Sequence, residues 1–361
     1  MTKLLILSKA LELPGGVSNY IKILNKHLDK EKFEIKHLFV GGTGLIWKDL
    51  FYPLLIIIQL INLKKVLKGF QPELVHINPS LTNVAIIRDF LFLKIIKKEG
   101  CPVLFLIHGW RENISDKFQN IFWKNFFKKR LEMADAIVVL AYKFKKKLVD
   151  LGIDADKIYV SSTMVESEKY LPDSKNFTKP YNILFCANII KEKGPFEFLK
   201  AAPMVLIKFP NTKFIFIGTG KDLKKLKEKS KKIGIEKNVV FTGYMVGKEL
   251  IEIFKNAHLF VLPSYTEGFP TVVLEAMAAG ASLIFTPVGG LSYALVDGKN
   301  GYVINSMPPK PEEISEKIIK LIENKKLMKN MSENNLKKAK EKFDGKIVSK
   351  QIEEIYQNII N

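Results

Sequence analysis

Residues 263–290 read PSYTEGFPTVVLEAMAAGASLIFTPVGG. Two glutamates, Glu267 and Glu275, stand eight positions apart in it. Between them, Gly268-Phe269-Pro270 breaks any regular structure before an apolar, Ala-rich run. This pattern predicts Glu267 on a loop and Glu275 about a turn and a half into a helix, with Pro270 as the first helical residue. Proline fits there because that position needs no intrahelical N–H bond. A helix start offers unpaired N–H groups and a positive dipole end, a seat for phosphate. A carboxylate at each end of that seat can accept bonds from sugar hydroxyls on either side of a diphosphate. The same spacing also describes a buried Ala-rich helix whose glutamates are solvated. Spacing alone does not choose between the two.

The surrounding chain alternates short apolar runs with amphipathic stretches. Runs at 4–7, 35–40, 74–77, 103–107 and 136–140 read as strands, with helical patterns at 16–29, 52–68, 81–98 and 116–132. A polar stretch with two prolines, 168–180, reads as a linker. A second series follows, with strands at 182–187, 213–218, 238–242, 259–262 and 282–286. Alternation of this type means doubly wound parallel sheets. The expectation is an α/β chain of two Rossmann-like domains, residues 1–170 and 171–344. Ligands of such sheets bind beyond the carboxyl ends of the strands, so the default site lies in a cleft between the domains.

Within PSYTEGFPTVVLEAMAAG, the Glu-x7-Glu context resembles the donor-site signature of retaining GT-B glycosyltransferases, above all glycosyltransferase family 4. The resemblance covers most of the second half with specific motifs, and the first half in layout and short motifs only. It implies a GT-B fold and transfer of a sugar from a nucleotide-sugar, UDP-linked in the first instance, to a saccharide or lipid-linked saccharide. It also implies that the last helix, about 345–361, returns to the first domain. Glu275 is then expected to hold the ribose, and Glu267, with the backbone of Gly268, Phe269 and Pro270, the sugar hydroxyls. No metal or other cofactor is expected.

Other positions take roles from the same resemblance. Gly15-Gly16 follows the first strand and opens a helix, where glycine lets backbone N–H groups approach an anion. Many relatives carry a Gly-Gly loop there, touching the diphosphate or acceptor. His108 ends a strand; alone it reads more readily as a structural histidine, but it matches the family's histidine near the transferred sugar. Lys193, in CANIIKEKG (186–194), matches the lysine that stabilises the leaving diphosphate. Asn188 stands where an arginine is usual, a departure that removes a positive charge. Gly218 and Gly243-Tyr244 border the nucleotide and its base. Together the expected catalytic residues are His108, Lys193 and Glu267.

Composition sets the outer bounds. The 361 residues are 47% hydrophobic and 26% charged, as in globular proteins. Cys101 and Cys186 lie in apolar runs and read as core thiols; no metal-ligand spacing joins them to histidine. MTKLLILSKALELPGG has too short an apolar run for a secretory signal, and the run 50–61 is too short to span a bilayer. A cytoplasmic location is expected, peripheral on the inner face of the plasma membrane. Net charge is +20, and residues 117–147 hold nine basic and two acidic residues interleaved with aromatics. That segment suits an anionic membrane surface, or equally a helix with a solvated basic face. No nucleic-acid motif accompanies the charge. Two other functions fit the fold: a non-catalytic binder of membranes or polyanions, and a sugar-nucleotide 2-epimerase.

Overall fold

The structure is a computed structural model that describes residues 1–361 apart from 14, 42–51, 80–82 and 110–119. Parts of the expected helices 81–98 and 116–132, of the apolar run 50–61 and of the basic segment 117–147 therefore lie outside the described residues. The chain forms two compact units, Met1–Thr163 with Gly345–Asn361, and Met164–Asp344.

The first unit is a six-stranded parallel sheet. Its strands are β1 (Thr2–Ser8), β2 (Phe33–Phe39), β3 (Leu74–Ile77), β4 (Val103–Ile107), β5 (Ala136–Val139) and β6 (Ile158–Val160), in the order β2-β1-β3-β4-β5-β6. Its helices are α1 (Gly16–His27), α2 (Tyr52–Phe70), α3 (Asn83–Lys98), α4 (Ile121–Leu131) and α5 (Tyr142–Asp150). Alternate strand residues divide the core between two faces. Leu5, Val75, Phe105 and Ile137 meet Leu63, Leu93, Phe127 and Phe144 from α2, α3, α4 and α5. The opposite face carries α1 and the last helix of the chain, Gly345–Ile360. There Tyr356 donates to or accepts from His76 Nδ1 at 2.5 Å, and Glu353 accepts the Asp29 N–H at 2.7 Å.

The second unit is also all parallel, in the order β12-β11-β10-β7-β8-β9. Its strands are β7 (Asn182–Cys186), β8 (Lys213–Ile217), β9 (Val239–Gly243), β10 (Leu259–Leu262), β11 (Ser282–Phe285) and β12 (Gly301–Val303). Its helices are α6 (Ser167–Tyr170), α7 (Pro195–Lys208), α8 (Leu223–Lys232), α9 (Gly247–Asn256), α10 (Thr271–Ala278), α11 (Leu291–Ala294), α12 (Pro311–Glu323) and α13 (Lys325–Lys338), which makes Gly345–Ile360 α14.

Two sequence expectations change here. Helix α10 begins at Thr271, because Pro270 has ψ 125, an extended value, and serves as its N-cap. The stretch 168–180 is no loose connection: it belongs to the second unit and is anchored there. Tyr170 packs edge-on against Phe254. Lys175 Nζ donates to the carbonyls of Lys255 (2.9 Å), Ala257 (2.5 Å) and Ala279 (2.7 Å), at the C-terminal ends of α9 and α10. The amine satisfies carbonyls that the helices leave unpaired; burial lowers its pKa to about 7, so it meets both helix dipoles as a cation below that pH. Lys175→Met is expected to cost about 2–4 kcal/mol, because three carbonyls, two of them on buried residues, lose their donor. Urea unfolding of the two proteins measures it, and equal midpoints would show that the clamp contributes nothing.

Candidate functional site

In the second unit the strand order reverses between β7 and β10. Their pairing stops at Phe260 opposite Leu184, while β7 runs on to Cys186 and β10 to Leu262. Open parallel sheets bind ligands at such a reversal. The loops 187–194 and 263–270 both leave from it, and they are stitched together. The Tyr265 N–H donates to the Glu192 carbonyl at 2.9 Å. Gly194 has φ 72, and a Cβ there would sit 2.1 Å from the Pro263 carbonyl oxygen. Only glycine lets the loops close to this distance.

At that closure Lys193 Nζ stands 2.7 Å from Glu267 Oε2 and donates to the Thr266 carbonyl at 3.1 Å. Ser264 Oγ donates to Glu267 Oε1 at 2.7 Å. The Ser264 carbonyl in turn accepts from Thr286 Oγ1. Gly290 N–H donates to the Gly268 carbonyl at 2.6 Å. Both carboxylate oxygens of Glu267 are thus directed, and its side chain is only 8% exposed. A carboxylate has more lone pairs than these two bonds use, so hydroxyl groups can still bind it.

Glu275 sits on α10 with 9% of its surface exposed. Burial pushes its carboxyl up to about 7, against the opposing effect of a hydrogen bond from the Tyr170 hydroxyl. Burial and the neighbouring Glu275 also raise the Cys186 thiol, so Cys186 stays protonated. Loops after β8 and β9 complete this end of the sheet. A Cβ on Gly218 would stand 2.0 Å from the Ala187 carbonyl oxygen, and the Gly218 N–H donates to the Gly243 carbonyl at 2.8 Å.

In the first unit the order reverses between β1 and β3. Gly15 caps α1 with φ 147, a conformation that disfavours any side chain. His108 Nε2 lies 2.7 Å from Asn78 Oδ1, and Asn78 Nδ2 donates to the Leu7 carbonyl at 3.1 Å. The Leu7 carbonyl, which also takes the Asn78 backbone N–H at 3.1 Å, can only accept, so the amide turns its nitrogen to Leu7 and its oxygen to the ring. Nε2 therefore carries the hydrogen and Nδ1 keeps its lone pair. Burial takes His108 down to about 3, so the ring is neutral near pH 7.

Two family models cover most of the chain. The model for glycosyltransferase family 4 matches residues 14–169, and that for glycosyl transferases group 1 matches 166–338. The chain is a GT-B glycosyltransferase. It is 24% identical over 338 residues to the capsular polysaccharide biosynthesis glycosyltransferase CapM of Staphylococcus aureus, covering 82% of this chain and 88% of that one. It is 25% identical over 327 residues to the N,N'-diacetylbacillosaminyl-diphospho-undecaprenol alpha-1,3-N-acetylgalactosaminyltransferase of Campylobacter jejuni, covering 85% and 83%. The crystal structure of Anabaena HepE in complex with UDP has the same fold, with a TM-score of 0.78, 16% identity, and 99% and 100% of the two chains covered.

In the glycosyltransferase the sequence-predicted residues divide between the units: Gly15, Gly16 and His108 in the first, the others in the second. Lys193 and Glu267 come together as an ion pair, so the lysine's charge is already half-answered. Asn188 is exposed on the same loop as Lys193. Phe269 is buried against Phe343, with ring centroids 5.9 Å apart, so only its backbone can meet a ligand. Tyr244 is 59% exposed beside Gly243. Three participants escaped the sequence reading. Ser264 and Asn78 orient predicted residues but carry no pattern of their own. Tyr170 lay in a segment read as a linker.

Proposed function

We propose that this glycosyltransferase moves a sugar from a UDP-sugar to a saccharide or lipid-linked saccharide in surface polysaccharide or glycoconjugate synthesis, with retention of anomeric configuration and without a metal. The observation that carries the reading is the Lys193–Glu267 pair closed at the strand reversal of the second unit, with buried Glu275 on the helix that follows. The names of CapM and of the Campylobacter enzyme support a polysaccharide or polyprenol-linked acceptor, and the UDP complex of HepE supports the base.

Glu275 accepts bonds from the ribose hydroxyls. Glu267 accepts bonds from the sugar. Lys193 and the first turn of α10 face the diphosphate. As the bond from the anomeric carbon to the diphosphate oxygen breaks, the acceptor hydroxyl attacks from the same face. Its proton passes to the departing diphosphate, which leaves protonated. Neutral His108 accepts a hydroxyl hydrogen bond through Nδ1. The protein works on the cytoplasmic side of the membrane.

Incubation with UDP-sugars and oligosaccharide or polyprenyl-diphosphate-linked acceptors, followed by NMR of the product, tests this. Retention predicts that the new linkage keeps the donor's anomeric coupling constant. An inverted product, or sugar elimination in the absence of any acceptor, contradicts it. Asn188→Arg adds a charge-assisted donor to the loop that holds Lys193. Titration calorimetry is expected to show UDP binding about tenfold tighter, the worth of one such bond after its desolvation. Unchanged affinity would mean that the loop does not face the diphosphate.

A further inference from the structure

Helices α2, α3 and α4 lie side by side on one face of the first unit. Phe90 of α3 touches both Phe126 and Phe127 of α4, at 5.7 and 5.8 Å between ring centroids. Each helix buries one stripe in the core and leaves the other outside, and the three outer stripes share one pattern. On α2, Leu54, Ile57, Ile58 and Ile61 are exposed, followed by exposed Lys64, Lys65 and Lys68. On α3, exposed Ile87 and Leu91 give way to exposed Lys94 and Lys98. On α4, exposed Ile121 and Phe122 give way to Lys128, Lys129 and Arg130.

Every outer stripe is therefore apolar at its N-terminal half and cationic at its C-terminal half. The apolar residues are between 38% and 69% exposed. Exposed apolar side chains grouped across three neighbouring helices are unusual on a monomer surface. Lys128 reaches Glu132, just past α4, at 3.7 Å, but the helices themselves carry almost no opposite charge. The only acidic residue of the three is Asp89, which is buried and pairs with Arg88 at 2.6 Å. Among the described residues no helix is long and apolar enough to cross a membrane.

We infer that this face docks on an anionic lipid bilayer, the apolar turns entering the acyl boundary and the lysine belt lying at headgroup depth. Charge decides the occupant. A second copy of this chain would bring the same cationic belt against itself, whereas an anionic leaflet is complementary to it. Apolar side chains with lysines on the adjoining surface are the pattern of interfacial helices. Orientation adds a functional consequence. Helices of a parallel α/β unit run antiparallel to the strands that feed them, so the apolar ends lie at the carboxyl edge of the sheet. That edge also carries Gly15, Asn78 and His108. Docking would bring a lipid-linked acceptor to the same end of the unit as these residues. This step names the partner of the proposed transferase and rests on that reading; the docking itself does not.

The sequence reading offered residues 117–147 as suited to an anionic membrane surface or, equally, to a helix with a solvated basic face. The proposed face takes α4 from that segment and adds α2 and α3, which precede it.

The test is sedimentation of the full chain with vesicles of phosphatidylcholine alone, or of phosphatidylcholine with 30% phosphatidylglycerol, about the anionic share that gives a cytoplasmic leaflet its surface potential. Binding to the anionic vesicles only is expected. Ile57→Gln, Ile58→Gln and Phe122→Ser combined are expected to weaken it by at least about tenfold, from the apolar area lost. Lys64→Gln, Lys65→Gln and Lys68→Gln combined are expected to weaken it comparably and to reduce its salt dependence. Both variants change exposed positions, so their melting temperatures should match the wild type. Absence of anionic-vesicle binding overturns the inference. So does binding indifferent to the apolar triple substitution, or a dimer that the apolar triple dissociates. Sedimentation uses no sugar donor, so an enzyme found inactive in transfer would leave this result standing.

Discussion

Lys193→Ala is expected to lower the turnover number by about 10²–10³-fold at saturating donor, the usual loss when one preorganised charge is removed from a developing anion. The lysine is held from two sides, by Glu267 Oε2 at 2.7 Å and the Thr266 carbonyl at 3.1 Å. It therefore needs no reorganisation when the diphosphate departs. Glu267→Ala should also reduce turnover, because it removes a sugar contact and releases the ammonium group from its position. The two losses should not add. Once Lys193 is gone, Glu267 has lost its orienting partner, so the double variant is expected to be little worse than the poorer single one. Lys193→Ala leaves a largely buried carboxylate without its cation, so melting temperatures must be compared alongside the kinetics. Turnover within about threefold of wild type in a folded Lys193→Ala protein, far short of the expected loss, would remove Lys193 from the chemistry.

The second large effect belongs to Glu275. Glu275→Ala is expected to weaken donor binding by about 10- to 100-fold, the worth of hydrogen bonds to a charged acceptor, while turnover at saturation changes little. The pH dependence is more diagnostic. Glu275 titrates at about 7 in the unliganded protein because burial disfavours its charge. Ribose hydroxyls can only donate to the group, so a bound donor favours the carboxylate and lowers its pKa. Donor affinity should therefore be full above pH 7 and fall as pH drops below it, by up to tenfold per unit, until the bound group titrates. Stability of the unliganded protein runs the other way. Its pKa is raised above the ordinary glutamate value of 4.5, so the stabilising difference is present below pH 4.5 and lost as pH rises through about 7. Glu275→Gln should flatten both profiles. Calorimetric titrations between pH 5.5 and 8.5, about the span over which the wild-type carboxyl changes charge, would show this. A wild-type affinity flat across that window would mean that Glu275 does not meet the ribose.

The long elements were legible in the sequence because their burial is periodic. β10 and its Glu-x7-Glu loop could be read directly from apolar and Gly-Pro punctuation. Strands β6 and β12 were not read: each has only three residues, too few to show a period. β12 further depends on Gly301, whose backbone passes so close to β11 that a Cβ would sit 2.3 Å from the Leu283 carbonyl oxygen. Within the candidate site, residue types at loop positions were legible, and their pairings were not. Nothing in the order of residues says that Lys193 reaches Glu267, since loops from two distant strands bring them together. Tyr170 looked like linker because its contacts, with Phe254 and Glu275, are all distant in sequence. Asn78 lies just past the end of a strand, Leu74–Ile77, and carries no pattern of its own, yet it is the group that selects the tautomer of His108.

The most direct measurement is thermal unfolding of the wild type and of Glu275→Ala with UDP, GDP or ADP. A ligand at a hundredfold excess over its Kd stabilises the folded state by about 2.7 kcal/mol, a rise of several degrees. A nucleotide site built on α10 and the β7–β10 reversal predicts that UDP gives this rise in the wild type and that about half of it or more is lost in Glu275→Ala. No rise with any of the three nucleotides, or an equal rise in both proteins, would contradict it.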